Sequence, residues 1–222
     1  MCMGEQALQE SEAQQTEFRI DEIKKLSKQT LDKIQALCKI RNVISISECI
    51  AVHKITTLLV KSYLQTPESS IDEIDAEMIS YASTFYDIGR LGIPDDHIQS
   101  DFDNNLSDTY AKHINIGQDF FLANQINNKF YQYCSEITYW HHKNFDGSGY
   151  PQVNKSNIPI SAQLVRAALR FYFYAQRFKD ESRTLDRVLN SLSSEINHTI
   201  SYQMYEVIKS SYESLSILIE EI

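Results

Sequence analysis

The chain has 222 residues, 42% of them hydrophobic, with only six glycines and four prolines: enough apolar material for one domain with short additions, and too few turn residues for a β-rich architecture. A formal net charge of −9, without any long Lys/Arg block, excludes a nucleic-acid polymer as the expected partner and leaves room for a small anion in a local cationic pocket. No apolar run approaches the roughly 18 residues of a membrane span, and the four cysteines (Cys2, Cys38, Cys49 and Cys134) form no C-x-x-C pair, which reads as reduced, packed thiols in a cytoplasmic protein.

In chain order, residues 1–17 are rich in Gln and Glu and read as a disordered polar tail. Residues 18–44 hold an N-terminal helix from Phe18 to about Arg41, with Ile20, Ile23, Leu26, Ile34 and Leu37 near one face. From 45 to 222 the pattern is one helical domain. Its first helix starts after Ser45 or Ser47, carries Ile50, Ile55, Leu58, Leu59 and Tyr63, and stops near Pro67. Ser70 and Glu73 then have the spacing of a capping box for a helix reaching towards Tyr86, with Ile74, Met78, Ala82 and Phe85 as its stripe. A loop follows, marked by Gly89, Gly92 and Pro94.

A further helix begins near Ser107 or Thr109 and carries His113, and the next runs from about Ile126 to Trp140-His141-His142. The segment Asp146-Gly-Ser-Gly-Tyr-Pro151 is the strongest turn signal in the chain. Helix resumes after Pro159, which suits a first helical position, and continues through Phe178. Two more helices complete the chain. The last spans Ile200 to Ile222 with Tyr205, Ile208, Tyr212, Leu215, Ile219 and Ile222 in a stripe that serves core packing or, as the alternative, a homodimer seam. There is no convincing strand. The fold class is all-α, a bundle of about seven to eight helices.

The polar residues at the ends of these apolar helices are His53, Asp87, His113, His141 and His142. Imidazole and carboxylate are the usual ligands of iron, zinc or manganese, and helical bundles build such sites from facing helices. Spacing alone is weak evidence, because a lone histidine on an apolar face is most often a satisfied core residue, and adjacent histidines diverge by about 100° on a helix.

The context is more specific. Tyr86-Asp87-Ile-Gly-Arg90 with Ile93-Pro94-Asp95 resembles the H-D-I-G-K…I-P-D segment of HD-GYP domains, metal-dependent cyclic-di-GMP phosphodiesterases of the HD superfamily. His141-His142-Lys-Asn-Phe-Asp146-Gly-Ser-Gly-Tyr150-Pro151 with Ile158-Pro159 resembles their H-H-E-x-x-D-G-S-G-Y-P…I-P segment, and His113-Ile-Asn-Ile-Gly117 their H-x-x-x-G. The resemblance covers roughly Ile50 to Tyr212. It implies an HD-domain-like bundle and a two- or three-metal centre that activates water for attack on a phosphodiester. It further implies Asp87 as bridging carboxylate; His53, His113, His141 and His142 as imidazole ligands; and Arg90 in place of a phosphate-contacting lysine.

Three departures bear on activity. Tyr86 stands where the first histidine of the H-D pair belongs, and a phenol is a poor ligand for divalent zinc or manganese, although ferric iron accepts phenolate. Leu169 stands where the resemblance implies a ligating aspartate, and Lys143 replaces a glutamate beside the paired histidines. The expectation is therefore no metal or a single transition metal (Fe, Mn or Zn), with a two-metal clamp disfavoured. Arg90, Lys143, Asp146 and Tyr150 are the candidate ligand-binding residues, although the glycines around Asp146 and Tyr150 favour a structural turn.

The leading expectation is a non-catalytic regulatory domain that acts through a protein signalling partner or binds a cyclic dinucleotide without cleaving it. The alternative is a phosphodiesterase with an altered, iron-based centre, in which Asp87 and Arg90 are catalytic.

Overall fold

The computed structural model describes residues 19–29, 32, 33, 36, 41, 43–99, 106–123, 128–153, 157–179, 181, 182 and 184–222. The expected tail, Phe18, Ile34, Leu37, Cys2, Cys38 and Ile126 lie outside them. The fold is all-α, and among the described residues the only β pairings are two isolated bridges.

After helical backbone over 19–29 (α1), the domain comprises α2 (Ile46–Leu64), α3 (Glu73–Ala82), α4 (Asp108–Ala111), α5 (His113–Leu122), α6 (Lys129–Trp140), α7 (Ile160–Arg177), α8 (Thr184–Ser193), α9 (Tyr202–Ser210) and α10 (Tyr212–Leu218). Helix α2 is the central rod. It packs on α3, α7 and α9, and Val52, Ile55, Leu59 and Val60 on its inner face are fully buried. Each such side chain contributes about 1.5–3 kcal/mol of transfer free energy. Ile50, read from the sequence as part of this stripe, is instead 41% exposed, and Cys49 takes the inward place beside it.

Helix starts differ from the sequence reading where more than one polar residue could cap. Asp72, not Ser70, accepts the Asp75 amide at 2.7 Å and starts α3, while the Ser70 hydroxyl pairs with Tyr63. Pro159 is the N-cap of α7 rather than its first helical residue. The segment read as one helix from Ile200 breaks at Ser211, whose hydroxyl donates to the Val207 carbonyl and accepts from Ser62. Serine back-bonding of this kind bends or interrupts helices.

The stretch after α3 is not an open loop. It coils through 3₁₀ turns at Ser83–Phe85, Ile88–Gly92 and Asp95–His97. A β-carbon on Gly89 would fall 1.8 Å from the His113 carbonyl oxygen, so only glycine allows the Ile88–Gly92 turn to lie on α5. That approach brings Asp87 to His113.

Candidate metal centre

His113, His141 and His142 are buried, and one ligand nitrogen from each lies within 4.8 Å of the others. His113 is the first residue of α5, and its Nδ1 lies 2.7 Å from the Tyr110 carbonyl. His141 is the C-cap of α6, with Nδ1 2.8 Å from the Thr138 carbonyl. A carbonyl oxygen only accepts, so each Nδ1 carries a proton, and each ring in its neutral form presents its Nε2 lone pair. The two Nε2 atoms face each other at 3.3 Å, and Asp87 Oδ1 lies 3.8 Å from that of His113.

Acceptors converging in a buried space repel unless a cation joins them. Two nitrogens each about 2.0–2.1 Å from a tetrahedral ion stand about 3.3 Å apart, so the donor set fits a first-row transition metal. The backbone carbonyls behind the imidazoles fix their tautomer and orientation, as second-shell partners do in metal sites. His113, His141 and His142 are thus able to hold one ion, with Asp87 as a nearby carboxylate; such an ion supplies Lewis acidity and binds anions.

The other expected ligands are differently placed. Glu48, in the first turn of α2, accepts the Tyr86 hydroxyl at 2.8 Å, and the buried Tyr86 ring stands edge-on to His141 at 5.3 Å. His53 is five residues further along α2, which turns it about 140° from Glu48. Its Nδ1 meets the Ser80 carbonyl at 2.6 Å, its ring stacks on Tyr81, and it lines a groove with Leu58, Ser214 and Leu218. The structure does not bring His53 together with the three clustered histidines. Burial pushes its pKa below the ordinary histidine value, against the opposing effects of the Ser80 contact and Glu77. Leu169 is buried in the apolar core.

Arg90 Nη1 donates to Asp87 Oδ2 at 2.7 Å, Nη2 donates to the Gln99 carbonyl at 3.3 Å, and the guanidinium lies over the Tyr110 ring. One carboxylate oxygen of Asp87 is thereby committed to Arg90, which weakens it as a bridging ligand. Lys143 is buried, with Nζ donating to the Pro151 and Val153 carbonyls at 2.8 Å each, and so ties down the loop. Burial lowers the Lys143 pKa, and Asp146 acts against that shift.

Asp146 Oδ1 accepts the Ser148 amide at 2.8 Å and Oδ2 meets His198 Nδ1. Desolvation raises the Asp146 pKa, but the bonds from Ser148 and His198 outweigh it and hold the carboxyl at about 2. Tyr150 donates its hydroxyl to the Leu106 carbonyl at 3.1 Å and precedes a cis peptide bond to Pro151. The hexapeptide is thus a folded support. Gly149, at φ 79°, passes so close to the His142 carbonyl that a β-carbon would lie 2.3 Å from its oxygen.

Sequence reasoning missed Glu48, Arg166 and Glu195. Arg166 donates to Asn144 Oδ1 at 2.7 Å and to the His141 carbonyl at 3.4 Å. A carboxylate at a helix start and an arginine within a helix carry no signal until tertiary contacts are known.

Comparisons with known proteins agree with this geometry. An HD domain family model matches residues 41–201. Over 99 residues the chain is 33% identical to the 3'3'-cGAMP-specific phosphodiesterase 2 of Vibrio cholerae, covering 43% of this chain and 19% of that protein. Over 107 residues it is 32% identical to a cyclic di-GMP phosphodiesterase of Thermotoga maritima (47% and 28%), and over 137 residues 28% identical to the cyclic di-GMP phosphodiesterase response regulator RpfG of Xanthomonas campestris pv. campestris (60% and 35%). The chain spans between about a fifth and about a third of the length of these relatives. Among the described residues, no helix is long and apolar enough to cross a membrane. With its model matching well over half of the sequence and three buried histidines gathered between α5 and α6, the chain belongs to the HD domain family, the superfamily to which its HD-GYP resemblance points.

Proposed function

We propose that this domain is a regulatory HD-GYP-type module that holds at most one transition metal and binds a cyclic dinucleotide without hydrolysing it, in a cytoplasmic setting. The observation that carries the reading is the asymmetry of the pocket. His113, His141 and His142 converge, whereas at the two positions where the resemblance implies further ligands the chain has Tyr86, tied to Glu48, and the core residue Leu169. A two-metal clamp needs ligands on both sides of the reacting phosphate. The dinucleotide class is inferred from what the relatives' names state of those proteins. Arg90, partly exposed at the rim, is the residue placed to meet its phosphate, exchanging its bond to Asp87 for one to the ligand.

Output from such a module passes through protein contacts. The exposed Ile217 on α10 offers one face for a partner or for a second copy of the chain.

The test combines elemental analysis, calorimetry with cyclic di-GMP and a hydrolysis assay on the same preparation. The expected result is no more than one metal per chain, measurable binding that weakens in Arg90→Ala, and no turnover. Two metals per chain with turnover would overturn the reading. A hydrolase with an iron centre is the second reading, favoured by the phenol of Tyr86 beside His141; the hydroxyl's bond to Glu48 counts against it, because a phenolate ligand must give that bond up.

A further inference from the structure

Behind the histidines, α7 presents two arginines one helical turn apart, and each grips a different turn of the chain. Arg166 holds Asn144 and the His141 carbonyl. Arg170 holds Glu195 in a fork, with Nε 2.8 Å from Oε2 and Nη2 on Oε1, and the Tyr174 hydroxyl adds a third bond to Oε1 at 2.6 Å. Burial raises the Glu195 pKa, but Arg170 and Tyr174 outweigh it and hold the carboxyl below its ordinary value.

The backbone at Glu195 carries the connection onward. Its carbonyl accepts the amides of His198 and Thr199 at 3.0 Å and of Ile200 at 3.4 Å, closing a tight turn in which Asn197 takes a φ of 64°. That turn is bonded to the hexapeptide: the Phe145 amide donates to the Thr199 carbonyl at 3.1 Å, the Asp146 amide donates to the His198 carbonyl at 2.9 Å, and Asp146 pairs with His198. From there the Tyr150 amide returns to the His142 carbonyl at 3.3 Å. The path from Glu195 to a candidate metal ligand is therefore continuous.

We propose that Glu195, held by Arg170 and Tyr174, is a positioning residue for the metal centre: it fixes the 195–200 turn, which fixes the 144–150 turn, which sets the orientation of His142. This rests on the reading of the three histidines as a metal site. The geometry also explains why an ion pair sits here. A buried pair of this kind is often no more stabilising than apolar packing, and its fork geometry gives orientation instead.

The experiment compares Glu195→Gln, His198→Ala and Asp75→Asn with the unaltered protein. Asp75 pairs with Lys129 at the start of α6, about 18 Å along that helix from His141, so its variant disturbs a similar ion pair remote from the centre. His198 is largely exposed, so its removal deletes the side-chain link to Asp146 and leaves the two backbone bonds between the turns, loosening the connection without threatening the fold. Cobalt(II) titration followed by visible absorption reads both affinity and ligand geometry. Glu195→Gln should weaken binding about tenfold, as loss of second-shell support does, and shift the ligand-field bands. His198→Ala should do the same to a smaller degree, and Asp75→Asn should lower the melting temperature alone.

Imidazole ¹H–¹⁵N spectra of the metal-free protein separate the two ideas. If the unaltered protein takes up no cobalt, the metal reading fails, yet the His142 resonances should still move in Glu195→Gln and His198→Ala and stay in place in Asp75→Asn. Unmoved His142 resonances in both turn variants, or wild-type cobalt affinity with an unchanged spectrum in a folded Glu195→Gln, would overturn the proposal.

Discussion

The two sides of the pocket are built on different principles. On the α5–α6 side, His113 and His141 each rest an Nδ1 on a backbone carbonyl three residues back, so the helix ends themselves aim the Nε2 atoms inward. Towards α2 and α7, Tyr86 is bonded to Glu48 and Leu169 belongs to the apolar core, at the two positions where the HD-GYP resemblance implies further ligands. Local backbone geometry preserves the first side almost regardless of its surroundings. Ligands on the second side would have to arrive as single side chains from distant helices, so one substitution each would be enough to remove its chemistry. On the proposed reading this leaves half a metal centre, which can be attacked from either half.

The largest effect belongs to Leu169→Asp. Replacing a buried core leucine with a carboxylate loses its packing and buries a charge, costing about 3–5 kcal/mol. Combined with Tyr86→His, which puts an imidazole beside Asp87, the substitution should lower the melting temperature but raise metal content from at most one towards two per chain. Detectable hydrolysis of cyclic di-GMP should accompany the second metal. Neither substitution alone should suffice. If the folded double variant gains no metal, the two sides are not halves of one site.

His113→Ala attacks the other half. The variant removes one of three converging nitrogens, and cobalt(II) affinity should fall by at least about 100-fold, beyond what second-shell losses produce. Retained affinity would move the site elsewhere.

The same contrast governs how much could be read in advance. The 3.6-residue apolar spacing announces helices, and the turn glycines announce the hexapeptide, because both signals are local. The grouping of His113 with His141 and His142 came instead from the family resemblance, because no local spacing relates residues 28 positions apart. For His53, spacing along α2 does not say which face meets Tyr86, and in the structure Glu48 makes that contact while His53 meets the Ser80 carbonyl. Asp72 as cap, the break at Ser211 and the Arg170–Glu195 pair each arise from tertiary partners that no short window contains.

Tyr86→Phe tests the closed side more gently. It deletes the bond to Glu48 while keeping the ring, at a cost of about 1–2 kcal/mol. Stability measured by denaturant titration should fall by that amount, and metal content should not change. A rise in metal content would show that the hydroxyl had been restraining a carboxylate able to serve as a ligand.

The smallest effect concerns His53, which the structure places outside the centre. Burial lowers its pKa in the folded state, with the Ser80 carbonyl and Glu77 opposing the shift. Below the unfolded-state value of about 6.5, the unfolded chain binds a proton that the folded chain resists. Stability from this residue is therefore present at neutral and higher pH and is lost as pH falls through the range below about 6.5. His53→Gln keeps a donor for the Ser80 carbonyl and removes the titration. Between pH 7.5 and 5 its melting temperature should decline less steeply than that of the unaltered protein, with the two curves parted mainly at the acidic end. The difference should be the same in the presence and absence of cobalt(II), because His53 faces Ser214 and Leu218 and not the histidine cluster. A cobalt-dependent difference would return His53 to the metal centre and redraw the boundary between the two sides.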